Sequence, residues 1–225
     1  MKTSRWLAVG IAVMAALRGQ GPELELPRLG AVWVTSLQGE AFITAGGERK
    51  PIRADERLRV GSTLVTGRKT ALGLALSNGV LVELASEAEL EVEEFGQAPV
   101  TGSLKYPDLK EEPTLSRTKL RLVRGAVTVT VKPLKVSRGS TFTLVTPAGT
   151  LRTGEATLRA MVRMSDLGLG VGTLEVVRGS AQMEIAGRAP TVVPAGRPFT
   201  YVLEVDKASG EIKVGDMPEA PAPRK

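Results

Sequence analysis

The sequence predicts an all-β fold: a single domain of antiparallel hairpins, sandwich- or solenoid-like, after an N-terminal signal helix. Three observations carry it. Apolar residues recur with a period of two, as where Val127, Val129 and Val131 alternate with Thr128, Thr130 and Lys132; that period puts successive side chains on opposite faces of a strand. Glycine- and proline-based turn signals punctuate these runs at short intervals. Beyond the first twenty residues no stretch carries helical periodicity.

The elements follow in order. Lys2 and Arg5 precede an uncharged run from Trp6 to Leu17, too short to span a bilayer, which takes roughly 18–20 apolar residues. A basic start, a short apolar run and small residues form the secretory pattern, so residues 1–20 are expected to be a signal peptide and Pro22 to Pro27 a linker. Strands are expected at Ala31 to Ser36 and Glu40 to Ala45, broken at Gln38-Gly39. Gly46-Gly47 turns the chain into a return strand. Val60-Gly61-Ser62 is a turn before Thr63 to Thr66.

Ala71 to Leu76 and Val80 to Ala85 flank Ser77-Asn78-Gly79, where Asn-Gly predicts a type I′ hairpin with positive φ at both residues. Leu90 to Phe95 completes the meander. Glu87, Glu89, Glu91 and Glu93 all fall on one face of it, read as a solvated strand face. The segment from Gln97 to Thr118, with Pro99, Pro107 and Pro113, reads as a long loop. Such loops are uncommon unless functional or disordered. Lys119 to Val162 reads as strand, turn, strand, with Gly125 as a bend and Val127, Val129 and Val131 facing inward with Phe142 and Leu144. A glycine-rich hairpin spans Ser165 to Gly172, because no helix follows to complete a phosphate site. Ala181 to Ile185, Pro190 to Val193, Pro198 to Val205 and Ile212 to Val214 read as further strands. The expected domain therefore runs over 28–215, with a disordered tail over 216–225.

Three segments echo one another: Val34 to Ala41, Leu122 to Val127 and Val176 to Ala181 each run apolar, polar, Gly, small, strand. Their glycines, Gly39, Gly125 and Gly179, are 86 and 54 residues apart. The unequal gaps rule out a fixed-period array.

Composition narrows the function. The chain has 225 residues with 42% hydrophobic and 4% aromatic content, no Cys and no His. Without Cys there is no disulfide framework or thiolate site. Without His the commonest general base and metal ligand are missing. The formal charge of +6 falls to +3 without Lys2, Arg5 and Arg18, and the remaining bases are scattered singly, so no nucleic-acid footprint is expected. Carboxylate-pair catalysis on an envelope glycan stays as an alternative, with Asp55, Glu56, Glu83, Asp108, Glu155 and Asp166 as acids, although nothing marks two of them as convergent.

The order of motifs resembles the FecR-type domain of bacterial envelope proteins over about residues 30–205. The residues that carry it are Gly61-Ser62-Thr63-Leu64-Val65-Thr66-Gly67, Gly79 to Leu84 after a tight turn, Leu122 to Val129 around Gly125, Phe142 to Pro147, Val176 to Ala181, and Ala195-Gly196. Where that family has Arg-Gly-Thr, this chain has Thr153-Gly154-Glu155 and shares only the glycine. The chain is also read as lacking the cytoplasmic sigma-factor-binding segment and spanning helix of regulatory members. The resemblance implies an all-β, non-enzymatic envelope domain.

Together these readings predict an exported, periplasmic or secreted protein that works without cofactor or metal. It is expected to bind an envelope or outer-membrane protein as sensor or scaffold, with no nucleic-acid partner and no membrane span after processing. A structural coat role is the other non-catalytic alternative. Tyr106 and Leu109, in the long loop, are the candidate partner-binding residues.

Overall fold

The computed structural model of the protein describes residues 30–100, 108–185, 188–196, 198–206, 209 and 212–216. The expected signal peptide and linker, residues 217–225 of the expected tail, and Tyr106 lie outside the described residues; Asp216, expected to open the disordered tail, instead ends the last strand, paired with Tyr201. Sixteen strands are present among the described residues: β1 (Val32–Gln38), β2 (Ala41–Ala45), β3 (Glu48–Pro51), β4 (Arg57–Leu58), β5 (Thr63–Thr66), β6 (Ala71–Leu76), β7 (Leu81–Leu84), β8 (Glu89–Gln97), β9 (Ser116–Val131), β10 (Thr141–Thr146), β11 (Gly149–Thr153), β12 (Ala156–Met164), β13 (Leu169–Glu184), β14 (Thr191–Pro194), β15 (Phe199–Val205) and β16 (Ile212–Asp216). Among the described residues the only complete helical element is a 3-10 turn, Val136–Arg138.

The strands form two layers. The first is ordered β4-β1-β6-β7-β9-β12-β13-β15-β16, and every pair in it is antiparallel. The second is ordered β3-β2-β5-β8-β9-β10-β11-β13-β14. Strands β9 and β13 belong to both layers. The amino-terminal half of β9 lies in the second layer and its remainder in the first; β13 crosses the other way. Sharing two strands closes the ring β9-β12-β13-β11-β10 into a barrel, with the remaining strands extending from it. One apolar cluster, from Val32 to Leu203, fills the space between the layers.

The three echoed glycines mark where strands change layer. Gly39, Gly125 and Gly179 have φ of +83, +85 and +82°, a left-handed conformation that costs glycine alone nothing. Opposite each runs another link between layers: β5 to β6, β7 to β8, and β11 to β12. At Gly125 the approach is closest. A Cβ there would stand 2.3 Å from the Ala88 Cα, and the neighbouring Ala85 N–H donates to the Ala126 carbonyl at 3.0 Å. These are the bent corners by which a strand leaves one sheet for another.

The inward set is as expected. Val127, Val129, Val131, Phe142 and Leu144 are all buried. Their connection corrects the strand–turn–strand reading. Residues 132–140 carry the chain across the sandwich, so β10 pairs parallel with the first half of β9, and the valines meet Phe142 and Leu144 across the core.

One further expectation changes. Asn78 has no positive φ; Gly79 alone does, at +93°, and its N–H donates to the Leu76 carbonyl at 2.9 Å. The hairpin is thus a three-residue loop with glycine in the left-handed position, rather than type I′. The cause is Asn78 itself, whose side chain is buried and hydrogen-bonded inward. Strand β6 is covered on both faces, because Leu109, Trp33 and Leu81 pack with Ala75 on the outside.

Candidate partner-binding surface

Adjacent antiparallel strands need a connection of only about two to five residues. β6 and β7 have one. β8 and β9 are joined by residues 98–115, and the described parts of that connection are fastened at both ends. On the outgoing limb, Ser77 Oγ donates to Gln97 Oε1, and the Ala98 N–H donates to the Leu115 carbonyl at 2.8 Å. Thr114 Oγ1 donates to the Ala98 carbonyl at 2.7 Å, and Val100 is buried. On the returning limb, Leu109 is only 8% exposed, packed on the outer face of the first layer, and its carbonyl accepts from Lys132 Nζ. Burial pulls the Lys132 ammonium below the usual lysine pKa.

Glu112 is fully buried. Its Oε2 accepts from Ser116 Oγ at 2.7 Å and its Oε1 from the Lys135 N–H at 2.5 Å. Its N–H donates to the Pro133 carbonyl at 3.0 Å, and its own carbonyl accepts from Lys135 Nζ at 2.7 Å. Asn78 joins this network from the neighbouring hairpin. Its Nδ2 donates to Ser116 Oγ and Thr118 Oγ1, both at 3.0 Å, and its Oδ1 accepts from the Val80 N–H at 3.3 Å. A buried polar group left unpaired costs about 1–3 kcal/mol, so these mutually satisfied groups fix the limb in one place.

The outer face of the second layer carries a charge ladder. β8 presents Glu89, Glu91 and Glu93, and the adjacent β9 presents Arg117, Lys119 and Arg121, with Arg124 beyond. Arg124 pairs with Glu89 at 2.9 Å, Arg121 with Glu91 at 3.8 Å and also with Glu93, and Lys119 with Glu93 at 2.8 Å. Burial raises the Glu93 pKa, but the neighbouring Lys119 and Arg121 cations, the latter hydrogen-bonded to it, outweigh that and hold the carboxyl below its usual value. The Lys119 approach is close enough for an ion pair yet too poorly aligned to satisfy Glu93 Oε2 as a hydrogen bond. The glutamate row is therefore matched by a basic row on the next strand rather than simply solvated.

The candidate catalytic acids are not brought together. Asp55 and Glu56 sit in the β3–β4 turn, Glu83 on β7, Asp108 in the long connection, Glu155 at a corner and Asp166 at the β12–β13 tip. No group of three His, Cys, Asp or Glu side chains could hold a metal among the described residues. Tyr201 is buried with an unpartnered hydroxyl. Burial pushes its pKa up to about 12, weakly opposed by Thr146. Its ring lies over Gly172, where a Cβ would come within 1.9 Å, so it fills core space and is closed to a substrate.

Sequence reading marked the long connection but missed Glu112, Asn78 and the basic row. The period-two run Arg117-x-Lys119-x-Arg121 opposite Glu89-x-Glu91-x-Glu93 was the available signal for the last.

Fold and surface together define an all-β module with an apolar interior and an ordered, charge-laddered exterior. No family model matches the chain, so the FecR-type resemblance rests on its motifs. No curated protein matches either. A crystal structure of a candidate anti-sigma factor from Parabacteroides distasonis ATCC 8503 aligns with a TM-score of 0.45 and 12% identity, over 68% of this chain and 59% of that one. A second, of the same description and organism, aligns with a TM-score of 0.43 and 10% identity over the same shares. The chain thus spans 59% of the length of those neighbours, and likeness at this level assigns no function. No helix among the described residues is long and apolar enough to cross a membrane.

Proposed function

We propose that this chain is a non-catalytic, exported envelope module that binds another protein as sensor or scaffold, with the connection over 98–115 as part of its contact surface. The observation that carries the reading is the contrast between that connection's length and its anchorage. A buried carboxylate, an asparagine and a lysine are committed to holding a segment that chain closure alone does not require. Loops held on a rigid sheet are common places for recognition. In this reading Leu109 sets the placement of the loop from its buried position, and Tyr106 belongs to the contact. The FecR-type motifs and the basic-then-apolar start of the chain support the envelope setting.

The test replaces residues 101–107 with a Gly/Ser segment of equal length, leaving Val100, Leu109 and Glu112 in place. Thermal melting and crosslinked recovery of the native partner are then measured. The expected result is an unchanged melt with lost partner. An unchanged melt with full recovery removes the loop from the contact surface.

A further inference from the structure

The charge ladder is unbalanced at one end, and that end opens into a groove. Going along β9, Arg124, Arg121 and Lys119 each meet a glutamate of β8. At the next rung Arg117 stands opposite Gly96, which has no side chain to answer it. Arg117 makes no ion pair among the described residues. The groove it faces, about 290 Å³, is also lined by Arg138, from the 3-10 turn before β10, and by Gly139. Arg138 likewise has no acid partner among the described residues. Both arginines are exposed. A Cβ at Gly96 or Gly139 would meet nothing within 4 Å, so the floor is bare backbone open to a close approach. Glu94 stands on the same wall.

We infer that this groove is a docking site for an acidic peptide segment of the partner, whose carboxylate takes the place of the missing rung between Arg117 and Arg138. Guanidinium groups suit this role because their planar donors match a carboxylate with two parallel hydrogen bonds. Glu94 on the same wall disfavours a densely charged phosphate or anionic glycan and favours a peptide, whose carboxylates are spaced along its chain. The inference rests on the reading of the chain as a protein-binding module and names the chemistry of its partner. The groove is built from the ends of β8 and β9, from Ala98 and Leu115 at the two ends of their connection, and from the turn before β10.

The experiment uses the full chain labelled with nitrogen-15. The probe is the peptide acetyl-Gly-Glu-Gly-Glu-Gly-amide, with its Gln counterpart and inorganic phosphate as controls. The Glu peptide is expected to shift the Nε–H signals of Arg117 and Arg138 and the amides of Gly96 and Gly139 saturably, and the effect should weaken with added salt. The Gln peptide and phosphate at equal concentration should leave those signals in place. The double variant Arg117→Gln, Arg138→Gln should melt like the parent and bind the Glu peptide at least about tenfold more weakly, a loss of about 1.4 kcal/mol.

Shifts spread equally over Lys119, Arg121 and Arg124 would overturn the site, as would parental affinity in the double variant. Displacement of the peptide by phosphate would show a small-anion site instead and overturn the peptide assignment. If the double variant loses the peptide yet recovers the native partner in full, the groove is not the docking site while the binding-module reading stands. If the parent recovers no partner at all but binds the peptide as expected, the module reading fails and the acidic-peptide site stands on its own.

Discussion

Two neighbouring connections in this molecule solve the same geometric problem at very different length. β6 and β7 are joined by Ser77, Asn78, Gly79 and Val80, and β8 and β9 by residues 98–115. Both join antiparallel strands that pair directly. The short one turns on the positive φ of Gly79. The long one is held by its own buried network, and Asn78 ties the two together through Ser116 and Thr118. The difference teaches that length and order are separable. The described limbs of the long connection are fastened by groups whose burial is costly unless every one is paired, which is the arrangement expected of a segment that must present a fixed surface.

The largest effect should come from the short connection. Gly79→Val puts a β-branched side chain at a φ of +93°, with the Lys132 Cδ 3.2 Å from the new Cβ. Backbone strain of about 1–3 kcal/mol together with overpacking of a similar size should lower stability by roughly 2–4 kcal/mol in denaturant titration. An unchanged midpoint would mean that the turn carries no constraint.

Cutting the tie comes next. Asn78→Ala strips partners from Ser116, Thr118 and the Val80 N–H and should cost roughly 1–3 kcal/mol. Because Asn78 serves both connections, amide exchange should rise in both. A change confined to the hairpin would mean that the two are uncoupled.

Glu112→Ala should act on the long connection alone. It leaves Ser116 Oγ and the Lys135 N–H without their acceptor, a cost of about 1–2 kcal/mol. Exchange should rise over 109–115 while β6 and β7 keep their protection. Equal loosening of β6 and β7 would erase the distinction between the two regions.

The smallest effect belongs to the charge ladder on the outer face of the second layer. Glu93→Gln should cost under about 1 kcal/mol and less in high salt. The sign with pH follows from its lowered folded pKa: its contribution is present above the usual carboxylate value and is lost as pH falls through the lowered one. The variant should therefore show a smaller loss of stability in acid than the parent.

How much of this was legible follows from what alternation encodes. A period of two tells which way a side chain points, so Val127, Val129, Val131, Phe142 and Leu144 were placed inward from sequence. It does not tell which strand lies alongside, so the parallel pairing of β10 with β9 and the passage of β9 and β13 through both layers were not visible. Gly39, Gly125 and Gly179 stood out as an echo, yet that they are corners between layers depends on Ala88 and its counterparts, far off in sequence. Glu112 was opaque for another reason. In the polar, proline-punctuated stretch around it a glutamate reads as solvated, and only the approach of Ser116 and Lys135 makes it a buried anchor. Tyr106 was marked from its position and lies outside the described residues.

The central claim, that the described limbs of the long connection are as ordered as the sheet they leave, is tested most directly by native-state hydrogen exchange of three amides. Ala98 donates to Leu115, Glu112 to Pro133, and Lys135 to the Glu112 carboxylate. The account predicts protection within about tenfold of the β6 amides, since local opening of the limb must break a satisfied buried network. Exchange of these three at the rate of an unstructured peptide, with β6 still protected, would contradict it.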